Sequence, residues 1–349
     1  MAARKKTGRI IIIILFILTA FAAWRLFGSN TNFEESKKNF YIKTGSTFDD
    51  VIRNIDTQHL IKNSKTFEWI AKQLDYDERV KAGKYVIKKG ASIFEIVRML
   101  RSGRQTPVNL VINKLRTKED FAQKIASNFE CDSAEIMSLL NNPDSLRKFS
   151  LDTNTVMTAI IPNTYSFLWN TTAPRIFKKL FEEHEVFWNE ERKKRAAGLN
   201  LTPAQVYTLA SIVEEETNID TDKGKIASVY LNRMETGMRL GADPTVKFAM
   251  KDFGLKRIYH KHLAFPSPYN TYQNTGLPPG PICTPSTKTI DAVLNSPSTS
   301  YLYFVAKPDL RGYSNFAITY EEHLRNAKAY QQALDSIIRM RQDSLSPQP

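Results

Sequence analysis

Cysteine and histidine are scarce and scattered in this 349-residue chain. The two cysteines, Cys131 and Cys283, lie far apart with no C-x-x-C spacing, which excludes a disulfide scaffold and a cysteine-held metal. Both read as buried small hydrophobes. Cys283 sits in PICTP, a proline-braced loop with no histidine beside it. The five histidines (His59, His184, His260, His262 and His323) are dispersed, so no thiol–imidazole nucleophile is spelled out. There is no arginine-rich strip, zinc-ligand spacing or helix-turn-helix signature. A net charge of +13, spread along the chain, therefore suits an anionic surface such as lipid headgroups or an acidic polymer, and nucleic acid is not expected. No metal and no cofactor is expected. What is present is ordinary globular material, 42% hydrophobic and 11% aromatic, in a length sufficient for two cored domains.

Long apolar runs are also missing, with one exception. Arg4, Lys5, Lys6 and Arg9 precede an unbroken apolar stretch from Ile10 to Trp24, which Leu26 and Phe27 extend past Arg25. The stretch is slightly short of the ~20 residues that cross a bilayer, but Arg25 can snorkel to the headgroups and Trp24 can sit at the interface. The alternatives are a cleaved signal peptide and a buried core helix. No small-x-small cleavage site follows, and four leading cations are foreign to a buried helix. The expectation is a transmembrane anchor at 10–28 with a cytoplasmic tail at 1–9. By the positive-inside rule, residues 30–349 then lie on the outer side of the membrane.

The polar segment 29–38 reads as a linker. Two similar pieces follow, IKTGSTFDDVIRNI at 42–55 and IKKGASIFEIVRML at 87–100, each a strand end and a tight turn before an amphipathic helix. Ser46, Thr47 and Ser92 are candidate N-caps, with Asp49, Asp50 and Glu95 in the first turns. With KAGKYVI at 81–87 as a strand between them, 39–104 forms a compact module. A second domain spans 105–341. Its pattern predicts a strand at 108–112, a helix over 117–129, a loop over IIPNTYSF at 160–167 and one long helix over 174–196. Helices at 203–217 and 221–238, a strand at 301–306 and a helix over 321–341 complete it, and 342–349 is expected to be disordered. The fold class is α+β.

The helix at 203–217 carries the chemistry. TLASIVEEET at 208–217 places Glu214, Glu215 and Glu216 at the end of an apolar run. Apolar neighbours disfavour the charged form of a carboxyl, and an acid still protonated near neutral pH is what glycosidic cleavage requires. At about 100° per residue, Val206, Leu209, Ala210, Ile212 and Val213 define the buried face. Glu215 falls opposite and should be solvated. Glu214 falls on the flank near Tyr207 and Ala210, where a carboxyl could face a cleft. Glu216 projects toward the apolar face and needs a buried partner such as a backbone donor or an arginine. Periodicity does not rank Glu214 against Glu216.

Residues 206–305 resemble the catalytic domain of the YceG-like family, the endolytic murein transglycosylases. The resemblance runs through LASIVEEET, IASVYLNRM at 226–234, MRLGADPTV at 238–246, YNTY at 269–272, GLPPGPI at 276–282 and YLYFV at 301–305. It implies a single membrane span, a LysM-like subdomain at 39–104 and a YceG-like catalytic domain at 105–341. It implies Glu214, first in the IVExET segment, as the catalytic acid/base that cleaves the MurNAc–GlcNAc bond of peptidoglycan strands. The products would carry 1,6-anhydro-MurNAc ends, and strand elongation would terminate. The cytoplasmic membrane and wall-synthesis enzymes are the implied partners. Candidate substrate contacts are Tyr207, Glu216, Asn232, Asp243, Thr245, Tyr269, Asn270, Tyr272 and Asn274. The tyrosines would stack on N-acetyl sugars, though one of the pair could be core, and Asn270 and Asn274 would offer amides. Asn232 either faces the cleft or caps a helix, and Asp243 either caps the Pro-Thr turn or joins catalysis. The prolines of GLPPGP would hold a rigid wall. Three other readings stand beside it: a non-catalytic wall-binding protein, a hydrolase on the same substrate, and a membrane-anchored partner of the wall-synthesis machinery, the last compatible with activity.

Overall fold

A computed structural model describes residues 2–345. The amino-terminal apolar run folds as helix α1 (Ala2–Phe27), and the side chains from Ile10 to Ile17, with Phe21, Trp24 and Phe27, are exposed. Among the described residues no helix is long and apolar enough to cross a membrane, so the span expected at 10–28 is not found as such. The described residues divide into two compact units, the first made of residues 2–110, 126–131 and 166–172 and the second of the others.

In the first unit, β1 (Lys37–Ile42), α2 (Phe48–Thr57), α3 (Ser64–Gln73), β2 (Gly83–Lys88) and α4 (Ile93–Ser102) follow α1. β1 begins inside the expected linker and pairs antiparallel with β2, from Lys37 opposite Lys88 to Ile42 opposite Gly83. The expected caps form. The hydroxyls of Thr47 and Ser92 accept the amides of Asp50 and Glu95, and those carboxylates reach back to the capping amides, closing two capping boxes. Ser46 is not a cap. Alternate residues of the strands and one stripe of each helix then meet in a core of Phe40, Ile42, Val51, Ile55, Phe67, Tyr85, Ile87, Ile96 and Leu100.

The remaining elements are β3 (Val108–Val111), α5 (Lys118–Ala126), α6 (Ser133–Leu140), α7 (Pro143–Arg147), a 3-10 turn (Val156–Ala159), β4 (Thr164–Phe167), α8 (Ala173–Phe187), α9 (Glu190–Gly198), α10 (Pro203–Glu216), α11 (Asp220–Glu235), α12 (Asp243–Met250), α13 (His260–Leu263), α14 (Thr287–Leu294), β5 (Tyr303–Ala306), β6 (Ser314–Ala317) and α15 (Tyr320–Leu345). β3 pairs with β4, and β5 pairs antiparallel with β6. The architecture mixes α and β as expected, with three differences of detail. The loop expected at 160–167 contains β4, because pairing with β3 supplies a ladder that local propensity does not reveal. The long helix expected over 174–196 is two helices. Trp188 turns into the core and the Asn189 side chain accepts the Arg192 amide, which starts α9 afresh. The last helix runs on to Leu345, into the tail expected to be disordered, and the rest of that tail, 346–349, lies outside the described residues.

The second unit is organised around α10. Its residues 206–213 are all buried, on every face, where the helical wheel assigned only a stripe. A helix walled in by α9, α11, α12 and α14 has no solvent side. Thr208 and Ser211 tolerate this by donating to the carbonyls of Ala204 and Thr208, at 2.9 and 2.7 Å. A Thr202–Gln205 capping box and Pro203 fix where α10 starts, so its register, and the position of its acidic end, are set locally.

Candidate active site

The carboxyl end of a helix carries partial negative charge, so three consecutive glutamates there need partners. Each finds a different kind. Glu214 accepts the Ser286 hydroxyl at 3.1 Å and the Thr289 hydroxyl, and pairs with Lys223 at 3.3 Å, all through Oε2. The Lys223 side chain is only 8% exposed and also pairs with Asp220 at 3.2 Å. Glu215 is not solvated as the wheel indicated. It pairs with Lys114 at 3.2 Å and takes a two-pronged contact from Arg116 at 3.0 and 3.2 Å. Burial alone would raise the Glu215 carboxyl, but Arg116 and Lys114 outweigh it and hold the group below its usual range.

Glu216 is the exception: among the described residues it forms no ion pair. Its partner is neither of those expected, a backbone donor or an arginine. It is the buried Tyr230 hydroxyl on α11, which donates to Oε1 at 2.8 Å. Burial pushes the Glu216 carboxyl up to about 7. Asp243 adds to the rise, while the Tyr230 bond, Arg233 and Lys247 oppose it. A carboxyl poised near neutrality is the property that a proton donor to a glycosidic oxygen requires.

The loops that face this acid are locked by buried threonines. The Thr245 and Thr271 hydroxyls bond at 2.9 Å, and Thr271 Oγ1 also accepts the Ala242 amide. This clamp joins GADPTV to YNTY and brings the Tyr272 hydroxyl onto Asp243 Oδ1 at 2.7 Å. Gly241 adopts φ +58 where the chain turns past the Tyr272 ring and Arg233. The GLPPGPI loop docks on α10 through the Ile282 amide, which donates to Ser211 Oγ at 3.0 Å. At Gly280 any side chain would strike the Asn154 carbonyl, so that wall admits only glycine.

Of the proposed substrate contacts, Glu216, Asp243 and Tyr272 come together. Several others are occupied by the scaffold. Tyr207 is buried and donates to the Ile160 carbonyl at 2.5 Å. Asn232 spends its amide on the carbonyls of Thr299 and Tyr301, Asn270 on those of Leu263 and Phe265, and Asn274 on those of Ser267 and Asn270. Thr245 is part of the clamp, and Tyr269 packs against Phe248 with ring centroids 4.8 Å apart. Cys131 and Cys283 are both buried and are not joined in a disulfide, as read from the sequence. Burial pushes the Cys283 thiol well up, which suits a packing residue. Sequence reasoning missed Tyr230, Lys223, Ser286 and Thr289. Tyr230 lies within IASVYLNRM, but its pairing joins two helices and leaves no mark in the period of either.

These motifs and this fold have counterparts. Residues 40–329 match the YceG-like family, and the chain belongs to it. It is 29% identical over 314 residues to the endolytic murein transglycosylase of Bacillus subtilis strain 168, covering 84% of each chain. It is 26% identical over 324 residues to the endolytic murein transglycosylase of Streptococcus pneumoniae strain R6, covering 82% of this chain and 57% of that one. Among solved structures, a YceG-like protein from Listeria monocytogenes superposes with a TM-score of 0.57 at 27% identity, covering 84% of this chain and 99% of that one.

Proposed function

We propose that this protein is a membrane-anchored endolytic peptidoglycan lytic transglycosylase, cleaving between N-acetylmuramic acid and N-acetylglucosamine, and that Glu216 is its acid/base. The observation that carries the assignment is geometric: the Glu216 carboxyl on α10 is bonded to the neutral Tyr230 hydroxyl while its two neighbours are held by cations, and burial raising it to about 7 agrees with that arrangement. Protonated Glu216 gives its proton to the bridging oxygen as the bond from the muramyl C1 breaks. The resulting carboxylate takes the proton of the muramyl C6 hydroxyl, whose oxygen closes onto C1. No water is consumed, and one acid/base group serves both halves of the reaction. Tyr230 holds the carboxyl in place, and Tyr272 with Asp243 lines the same locus. Glu214, the residue implied by the motif, is the alternative acid. Its three donors on one oxygen suit a carboxylate that fixes α14 and Lys223 against α10.

The first unit, with its β1-α2-α3-β2 order, is the LysM-like part that grips glycan. The anchoring role rests on α1, whose side chains from Ile10 to Ile17, with Phe21, Trp24 and Phe27, are exposed behind the cations of residues 4–9. It sets both units on the outer face of the cytoplasmic membrane, beside the wall-synthesis enzymes whose strands it terminates. One observation favours a second reading. Asp243 lies close enough to raise the Glu216 carboxyl, and a hydrolase needs a second carboxylate. Mass spectrometry of products from purified, uncrosslinked strands decides. Internal cuts ending in 1,6-anhydro-muramyl, lost in Glu216→Gln and kept in Glu214→Gln, support the proposal. Reducing ends, heavier by one water, would make it a hydrolase. Loss in Glu214→Gln alone would move the acid to Glu214, and no cutting would leave a binding protein.

A further inference from the structure

The first unit contains a cleft of about 610 Å³ lined by residues of β2, α4 and the turn between them, and no residue of the acid-bearing site lies in it. Its rim is cationic: Lys88, Lys89, Arg98 and Arg104 line it, against the single carboxylate of Glu95. Glu95 is already committed to the Ser92 amide and hydroxyl at 2.9 and 3.2 Å, and Lys89 is paired with Glu34 at 2.8 Å. Lys88, Arg98 and Arg104 are exposed and have no ion-pair partner among the described residues. Three uncompensated cations around one concavity make a site for an anion.

The position of the cleft says which anion. The apolar helix α1 ends at Phe27, whose ring packs on Phe94 of α4 with centroids 5.3 Å apart. Three residues later the Asn30 amide donates to the carbonyl of Ala91 at 3.1 Å, and the Thr31 hydroxyl accepts the Gly90 amide at 2.8 Å. Gly90 and Ala91 both line the cleft. The cationic rim therefore lies only a few residues of chain, roughly 10–14 Å at full extension, from the end of the apolar helix. The polar layer of a bilayer is roughly 5–8 Å deep on each side, so a helix seated in hydrocarbon delivers this cleft to the headgroups.

We propose that the β2–α4 cleft binds the phosphate of an anionic phospholipid headgroup through Lys88, Arg98 and Arg104, seating the first unit on the membrane surface. The proposal rests on the anchoring role of α1 and adds to it a specific lipid contact. Arginine's fork suits a phosphate diester, and attraction of this kind weakens as salt is raised.

The test uses the full chain in lipid nanodiscs of phosphatidylcholine alone or with phosphatidylglycerol, read by amide hydrogen exchange over residues 86–104. Exchange slowed about tenfold or more in the anionic discs, and restored by Lys88→Gln/Arg98→Gln/Arg104→Gln, is the expected result. Each of these side chains is exposed, so the variant retains the fold, and unchanged exchange in the core of the second unit verifies it. Equal protection in both lipids would overturn the headgroup contact while leaving the anchor. A chain that stays outside the discs would sink the anchor reading and the cleft proposal with it. Inorganic phosphate that protects the detergent-solubilised chain as well as lipid does would reassign the cleft to free phosphate.

Discussion

Replacing Glu216 by glutamine imitates the neutral acid in shape and separates its proton from its bulk. In the folded protein this carboxyl titrates near 7 against 4.5 for an unperturbed one, chiefly because burial disfavours its charge. At about 1.36 kcal/mol per unit, the shift corresponds to roughly 3 kcal/mol. Because the folded value lies above the unfolded one, the native chain keeps a proton that the unfolded chain has lost between them. Wild-type stability is therefore undiminished below about pH 4.5, falls as pH rises toward 7, and has lost the full amount by about pH 8. Glutamine carries no such proton. The variant should therefore match the wild type near pH 4.5 and gain on it by up to roughly 3 kcal/mol at about pH 8, read from urea midpoints at several pH values. Its strand-cleaving activity should fall about a hundred- to ten-thousand-fold, the usual worth of a positioned general acid. Wild-type activity should decline as pH rises through about 7, where the acid loses its proton. A stability gap that does not grow with pH, or a variant that still cuts strands, would refute the assignment.

Other perturbations of the same locus have opposite signs. Tyr230→Phe removes a bond that favours the carboxylate, so the alkaline limb of the pH–rate profile should move up by about half to one unit. Asp243→Asn removes a neighbouring negative charge, so the same limb should move down. Glu214→Gln takes a charged partner from buried Lys223 and should destabilise the fold by about 2–4 kcal/mol in denaturant titration, without abolishing cleavage by the folded fraction. Tyr207→Phe leaves the Ile160 carbonyl without its donor and should cost about 1–2 kcal/mol of stability with activity per folded molecule unchanged.

Much of this protein is legible from local chemistry. Thr47 with Asp50, Ser92 with Glu95, and the apolar run of α10 are encoded within a turn or two of chain, and the structure forms them where the sequence places them. The motif-bearing segments 208–217, 241–246 and 269–282 do supply the site's elements. Local pattern fails where a partner arrives from a distant segment. β4 is a strand because β3 pairs with it, and Glu215 is held rather than solvated because Lys114 and Arg116 come to it from about a hundred residues upstream. The polar groups of Asn232, Asn270 and Asn274 read as ligand donors in sequence, yet partly buried backbone carbonyls of nearby loops take them, since a carbonyl shielded from water is costly to leave without a donor.

The sequence by itself determined the family, the caps, the acidic end of α10 and the exclusion of a disulfide framework, because each is written in residues adjacent along the chain. Only the tertiary structure distinguished three neighbouring glutamates. A wheel assigns a direction to each side chain but not what it meets there. What each carboxyl meets is brought by other elements: Lys223 and α14 to Glu214, the Lys114–Arg116 segment to Glu215, and Tyr230 to Glu216.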